Sequence, residues 1–560
     1  MQLEPVLSPL VESCEELVAA LGKVESLPAL SLRRAARLPV LAALRRLVPG
    51  PFLLVTDRAD HALTLFDELS LWAPEVPRLL FPEPTSLFYE RAAWGPGTRR
   101  ERLLALTALA SYHLPGAREG GEVAHPILVA PARALMVRTL PRREFLKATR
   151  TLRGGQSAAP GALARDWSAL GYEHVNTVIA PGEFTRRGGI LDIWPPAAAQ
   201  PTRIEFFGDE IESLRHFDPA TQRTVKPHDR LLVTPAREFL ASAEPVPAIE
   251  EPTEFYIPLL HPSPASPLDY IPCQALVLFD DLQAVQGAVQ DVEEQAVNLR
   301  REALAEGSFA EDYPLPYLSW SELADSLPRG RTIELGGTAG DGQSSQALTL
   351  PDRFVAGPRY AGRLKPFMEH VTERALDGEQ VVIVSRQSAR LKELWAEQSL
   401  EPHVSAPVFV DSSLTEGFTF IPTSAPPVHL FTDGEIFGWR RPEPRQRPRA
   451  MAESPEGAYA DLQAGDYVVH ADHGIGIFVG LVIRTIDGIE REYLCIEYAD
   501  EAQLFVPVHQ ADRVTRYVGA DNRTPALSRL GGTEWRSVKG HVKEAVVEVA
   551  QDLLDLYAKR

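Results

Sequence analysis

GEFTRRGGILDIWPPAAAQPTRIEFFGDEIESLRHFD, residues Gly182 to Asp218, alternates apolar side chains with Arg, Asp and Glu and is interrupted by Gly and Pro. The period of two and the turn residues predict two β-ribbons. Along Arg203-Ile204-Glu205-Phe206-Phe207 the alternation puts Ile204 and Phe206 on one face and Arg203, Glu205 and Phe207 on the other. The first face suits a core. The second carries a phenylalanine and an arginine about 13 Å apart at the rise of a strand, which is the composition of an interface hot spot.

These ribbons sit in a chain of 560 residues, more than one hydrophobic core supports, so about three to five domains are expected. With 44% hydrophobic and 24% charged residues the composition is that of folded protein. The balance of 57 basic against 76 acidic residues, net −19, repels nucleic acid unless basic residues gather locally, so DNA binding by the whole surface is not expected. Cys14, Cys273 and Cys495 are far apart and lack a CxxC partner, which gives neither a disulfide framework nor a zinc site. The acidic start MQLEPVLSPLVESCEEL is no signal peptide, and no apolar run reaches membrane-spanning length; a soluble, cytoplasmic chain is expected.

Upstream of the ribbons, residues 15–150 read as α/β. A helical period over Leu32–Leu47 leads to the strand Phe52–Thr56, then a helix Ala59–Trp72, a strand Leu79–Pro82, a helix Arg99–Ala110 and a strand Pro126–Pro131. Such alternation implies a parallel sheet of nucleotide-hydrolase type. A phosphate loop needs glycines for backbone N–H contacts, a Lys, and Ser or Thr for Mg²⁺. None is found: Gly22-Lys23 is followed by Val24 and has no upstream glycine, and Leu32-Arg33-Arg34-Ala35-Ala36-Arg37 has no glycine at all. Its arginines read as a solvated helix face, with a phosphate contact as the alternative.

Downstream, Gln283–Ala305 reads as a helix with Glu293, Glu294, Arg300 and Arg301 on solvated faces, and Gly336–Ser345 as a mobile loop. Residues 351–440 begin a small α/β domain: helix Gly362–Leu376, strand Gln380–Ser385, helix Ala389–Gln398 and strand Pro427–Phe431. Arg440–Arg449, rich in Arg and Pro, is an extended linker that acts as a hinge or touches phosphates. Tyr467–His470, Gly474–Gly480, Glu492–Tyr498 and Leu504–Val508 are short strands with repeated glycines, predicting a small, strongly bent barrel with an open edge. His470, Asp472 and His473 have no further ligand in sight and read as a hydrogen-bonded turn rather than a metal site. Val542, Ala545, Val546, Val549, Leu553 and Tyr557 repeat at helical spacing up to the last residues, so the chain is expected to stop within or at the end of a helix.

Two motif sets carry a resemblance over essentially the whole chain. Gly171-Tyr172-Glu173-His174-Val175, Gly182–Pro195 and Phe206–Arg215 are similar to the insert shared by bacterial transcription-repair coupling factors (the Mfd family) and the UvrB damage-recognition protein, through which both bind UvrA. Gly465–His470 through His473–Gly476, with Glu492-Tyr493-Leu494 and Leu504–Val508, resembles the RNA-polymerase-interacting domain of coupling factors and CarD-type regulators. The order resembles the amino-terminal half of a coupling factor.

The resemblance implies a multidomain α/β chain. A UvrB-like degenerate nucleotide-hydrolase-type domain (1–143 and 237–350) carries a β-rich UvrA-binding insert (144–236). A small α/β domain (351–440), a linker (441–456), a Tudor/CarD-like β-barrel (457–532) and a relay helix (533–560) follow. It implies UvrA contacts at Arg187, Arg203 and Phe207 and a contact with the polymerase β subunit at Leu504. The alternatives are that Arg187 braces the Gly188-Gly189 turn, Phe207 is core, and Leu504 fills the barrel. Phe88–Arg102, with Tyr89 and Trp94, leaves room only for a short loop where UvrB has a DNA-clamping hairpin. With no phosphate loop, the chain is expected to need no cofactor and to hydrolyse no ATP, ATP and Mg belonging to the translocase domains of the family, and to touch DNA only weakly. Other readings are a CarD-type polymerase-binding regulator with the α/β region as scaffold, and a degenerate nucleic-acid ATPase.

Overall fold

A computed structural model describes residues 3–21, 23, 29–114, 125–240, 252–305, 307, 310–337, 350–397 and 404–439 and, further on, 465–470, 473–486, 489–499, 502–507, 514–516 and 527–528. The linker 441–456, the relay helix 533–560, most of the Gly336–Ser345 loop and Asp472 lie outside the described residues. Two compact units divide the chain, Met1–Pro444 and Arg445–Arg560.

The strand Phe52–Thr56 is buried along its whole length and lies at the centre of a five-stranded sheet. The strand order is Thr332–Glu334, Leu276–Phe279, Phe52–Thr56, Ile127–Pro131, Arg78–Leu80, all parallel. Its alternation divides two cores. Phe52 and Leu54 face helices Arg34–Leu47 and Ala59–Trp72 through Leu41, Leu44, Leu65 and Leu69. Leu53 and Val55 face helices Pro96–Ala110 and Leu282–Ala305 through Leu103, Leu106, Val285 and Val289. Both faces being covered is what lets a parallel sheet be apolar throughout. The third of these helices begins at Pro96, three residues before the predicted start, because proline in the first turn lacks only an N–H that has no partner there.

Helix Glu4–Ala20 was not anticipated. It buries Val6, Leu7, Leu10, Cys14 and Leu17 in a core that also holds Val382, Val384, Phe418, Phe420 and Leu430. Those residues belong to a second five-stranded sheet ordered Phe354–Val355, Phe418–Phe420, Val428–Thr432, Gln380–Val384, Val408–Val410, in which Phe418–Phe420 alone runs antiparallel to the others. The strand and helix segments read from 351–440 are present, but one face of their sheet is completed by residues from the start of the chain.

The carboxyl edge of the first sheet is where open α/β sheets bind ligands. Here Arg37 is no solvated side chain: its Nη1 meets Asp280 Oδ2 at 2.9 Å and its Nη2 lies 3.7 Å from Asp281, with the guanidinium largely buried. A Cβ on Gly336 would collide with that guanidinium, so the glycine makes room for it. The charge that the sequence offered to solvent is neutralised inside the fold.

Beside it, His61 Nδ1 and Asp57 Oδ1 are 2.6 Å apart, one helical turn from each other. Burial alone would raise the Asp57 carboxyl, but the His61 hydrogen bond and charge, helped by Thr56 and the Arg58 backbone, bring it down to about 2. The hydrogen bond to Asp57 raises His61 above its usual 6.5 against the opposing effect of burial. Asp57 stabilises above about pH 4 and loses this as pH falls toward 2; His61 stabilises below about pH 6.5 and loses this as pH rises through its raised value. The melting-temperature gap between the native chain and His61→Gln is therefore expected to be widest near pH 5 and to close on both sides. A gap that does not vary with pH excludes the pair as its source.

Arg102 of helix Pro96–Ala110 fastens the insert to this body. It is wholly buried, with Nε 2.6 Å from Glu238 Oε1 and Nη2 2.9 Å from Oε2. Its Nη1 donates to the Pro82 and Ala134 carbonyls at 3.1 and 3.3 Å, and its plane lies 4.1 Å from the Phe81 ring and 4.7 Å from that of Trp94. Glu238 lies just past the strand Arg230–Val233, which pairs with Arg150–Arg153 to form the insert's neck.

Candidate partner-binding site

The insert is a six-stranded sheet ordered Thr224–Pro227, Glu210–Phe217, Thr202–Phe207, Ile190–Ile193, Glu183–Arg187, Glu173–His174. All neighbours are antiparallel except the last pair. The two predicted ribbons are its hairpins, turned at Gly188-Gly189 and Gly208-Asp209, where Gly188 and Gly208 take φ of 60° and 63°. Tight hairpins require such left-handed positions and favour glycine there. One face of the sheet packs Phe184, Leu191, Ile193, Ile204, Ile211 and Leu214 against Leu163 and Trp167 of helix Pro160–Ala169. Phe206 leans on the same core.

On the opposite face, register places Arg187, Ile190, Glu205 and Ser213 in one row across four strands. Thr185, Asp192, Arg203 and Arg215 form the next row. Phe207 stands opposite Glu210, beyond the end of strand Ile190–Ile193, where the Phe206 N–H donates to Gly189 O at 2.9 Å. It is 82% exposed, and Ile190 is 37% exposed. The core alternative for Phe207 is thereby removed. A bulge between Glu205 and Phe206 leaves the alternation of this strand intact, because the extra residue is on its partner.

Arg203 shares that face yet is not open. It forms a two-bond fork with Asp192, Nε–Oδ1 2.8 Å and Nη2–Oδ2 2.9 Å, with side-chain exposures of 19% and 2%. Its Nη1 donates to Gln222 O at 3.3 Å and its plane lies 5.0 Å from the Phe217 ring. Those hydrogen bonds to Asp192 raise its pKa further against the effect of burial. Two loops roof this end of the face: Gln222 Nε2 donates to Val178 O at 3.1 Å, and Val178 is fully buried. Alternation predicts which face a residue takes, not whether a loop covers it. Arg187 is exposed and ends its strand, but its Nη2 donates to Asn176 O and, at 3.1 Å, to Thr177 Oγ1. Arg187 thus holds the preceding loop rather than the Gly188-Gly189 turn. The exposed set is Phe207, Ile190 and Arg187, with Glu205 and Arg215 (3.6 Å apart) at its side; Ile190 was missed, although its place opposite Arg187 follows from the two-residue turn.

In the second unit, five antiparallel strands are ordered Gln503–Pro507, Ile489–Glu497, Gly474–Ile486, Tyr467–His470, Val514–Arg516. Among the described residues the two outer strands do not pair with each other, so the predicted barrel is seen as a sheet. Val468, Phe478, Leu494, Ile496, Tyr498 and Val506 form its core. Gly476 is required by close approach, since a Cβ there would lie 2.5 Å from Ile496 Cγ2 and 2.9 Å from Glu497 O. Leu504 sits on an outer strand opposite Ile496, half-buried against that core. His470 is buried with its ring 4.8 Å from that of His473, and no group of three or more potential metal ligands occurs among the described residues. In the first unit, Tyr89 and Trp94 of the short 88–102 loop are both buried in the body's core. No helix among the described residues is long and apolar enough to cross a membrane.

Residues 151–239 match the UvrB interaction domain family and residues 462–518 the CarD-like/TRCF RID domain family. The transcription-repair-coupling factor of Bacillus subtilis (strain 168) is 28% identical over 94% of the chain and 48% of its own length. That of Staphylococcus aureus (strain MRSA252) is 24% identical over 91% of the chain and 46% of its own length. The chain thus spans about half the length of the curated relatives it matches. Both domain families, in the order the motifs implied, and relatives matched over nearly the whole chain make it similar to the transcription-repair-coupling factors over about half their length.

Proposed function

We propose that this chain is the adaptor half of a transcription-repair coupling factor, binding UvrA through the insert and the RNA polymerase β subunit through the second unit. The observation that carries the reading is Phe207, an aromatic 82% exposed at the end of a hairpin in a UvrB interaction domain. Leaving a phenylalanine in water forgoes about 1.5–3 kcal/mol of burial, which a partner's apolar pocket recovers. Arg187, paired with Ile190 in the sheet, supplies the charge that steers an acidic partner. Arg203 acts indirectly, by holding Asp192 and the sheet that presents Phe207.

The outer strand Gln503–Pro507, whose second edge has no partner strand among the described residues, offers that edge to a strand of the β subunit, with Leu504 as its apolar contact. On this reading the strands of the second unit bend into a Tudor-like barrel that leaves this edge open, and ATP and Mg act in the translocase of the longer relatives. Work is divided between the parts: this half recruits, and the translocase moves on DNA.

Binding to immobilised UvrA and to the isolated β subunit tests both arms. Leu504→Arg is expected to weaken β-subunit binding about tenfold and to leave UvrA binding unchanged, since a half-buried arginine can extend its head into water. Equal loss of both would mean misfolding. Polymerase binding with no UvrA binding would instead make the chain a CarD-type regulator.

A further inference from the structure

Thr185 and Asp192 stand in the row of Arg203, on the face of the insert turned away from its hydrophobic core, yet both are buried. Part of the roof over this row is the loop that joins strands Glu173–His174 and Glu183–Arg187. Its hydrogen bonds trace its path across the face. Asn176 O and Thr177 Oγ1 accept from Arg187 Nη2, Val178 O accepts from Gln222 Nε2 at 3.1 Å, and the Ile179 and Ala180 N–H groups donate to Glu183 Oε2 at 2.7 and 2.8 Å. The Val178 side chain is fully buried. Every residue from Asn176 to Ala180 is thus fastened to the sheet or to the neighbouring loop.

In the middle of this fastened loop Ile179 is 65% exposed; among the described residues only Phe207 exposes a large apolar side chain more fully. Single apolar residues are common on surfaces, but this one continues a series. Phe207 stands at the Gly208-Asp209 turn, Ile190 and Arg187 lie in the next row inward, and the roof begins over the row after that. From the first of these rows to the third is about 13 Å at the rise of a strand. A standard interface covers about 800 Å² of each partner, a patch about 30 Å across. Beyond Phe207 the face ends at the Gly188-Gly189 and Gly208-Asp209 turns, so a partner seated on Phe207 and Arg187 extends over the roof.

We infer that Ile179 is a second apolar anchor for UvrA, and that Arg187 is a positioning residue that holds the anchor's loop in its binding geometry. This rests on the reading of the insert as the UvrA-binding face. Because the loop is fastened before the partner arrives, burying the isoleucine costs little ordering. Its contribution falls on dissociation, whereas the Arg187 charge acts on association.

Surface plasmon resonance of the full chain over immobilised UvrA tests both residues, with Phe207→Ala alongside. Ile179→Ala is expected to weaken binding about 5- to 30-fold, mostly through faster dissociation, with the melting temperature unchanged. Ile179→Asp should lose more than Ile179→Ala, since it carries a charge into an apolar contact. Arg187→Ala should speed dissociation in the native background and not in the Ile179→Ala background, while slowing association about equally in both. Native affinity in Ile179→Ala with weakened binding in Phe207→Ala overturns the anchor and leaves the reading of the face standing. No UvrA binding by the native chain, or native affinity in both variants, removes the face and the anchor with it. A drop of several degrees in the melting temperature of Ile179→Ala would make the residue part of the packing instead. Equal effects of Arg187→Ala on dissociation in the two backgrounds would overturn its positioning role.

Discussion

Arg102→Met destabilises the first unit by about 3–5 kcal/mol, because it leaves the Glu238 carboxylate buried with no cation beside it. The expectation follows from the geometry: a fully buried fork of 2.6 and 2.9 Å, two further carbonyl acceptors, and the Phe81 and Trp94 rings packed on the guanidinium. Glu238→Gln should cost less than Glu238→Leu, since an amide still accepts a hydrogen bond from the arginine. Combining Arg102→Met with Glu238→Leu should recover much of the loss, as apolar replacements of a whole buried pair often do. Urea unfolding followed by tryptophan fluorescence compares the four variants with the native chain. If the midpoint of Arg102→Met matches that of the native chain, the pair is not holding the insert to the body. Losses that simply add in the double variant would show that the two residues act independently.

Phe207→Ala is the second large effect, this time on binding: UvrA affinity falls by about 30- to 1000-fold, equivalent to about 2–4 kcal/mol, with the melting temperature unchanged. Stability is spared because the ring is already in water. Phe207→Leu should keep part of the affinity, since it retains apolar area and loses the flat ring. Arg187→Ala should slow association and make binding less sensitive to salt. Arg203→Ala is a poor probe of the same surface: it strands the buried Asp192 carboxylate, so a loss of binding there reports a disturbed sheet. Native UvrA affinity in Phe207→Ala would remove this residue from the interface.

Much of this was legible where local signals agree. Phe52–Thr56 and Ala59–Trp72 have the extents read from sequence, because an unbroken apolar run is followed by a clear helical period. Helix Glu4–Ala20 was hidden because Pro5 and Pro9 interrupt its pattern and the glutamates among its apolar residues draw attention to charge. Its partner strands lie more than 300 residues away, out of reach of any window. The insert shows the same division. Alternation separated Ile204 from Phe207 correctly, but left Phe207 and Arg203 looking alike, and only the loops carrying Val178 and Gln222 distinguish them. Arg37 was misread because Asp280, its neutralising partner, comes from a strand far along the chain.

The core shared by helix Glu4–Ala20 and the strands of the second sheet also sets a schedule for synthesis. The helix is made well before the strand Val428–Thr432 that shares its core, which follows some four hundred residues later. At about 5–20 residues per second on the ribosome, its apolar stripe waits for tens of seconds before its final neighbours exist. During that interval the nascent chain is a natural client for holding chaperones, and a segment translated early is sealed late.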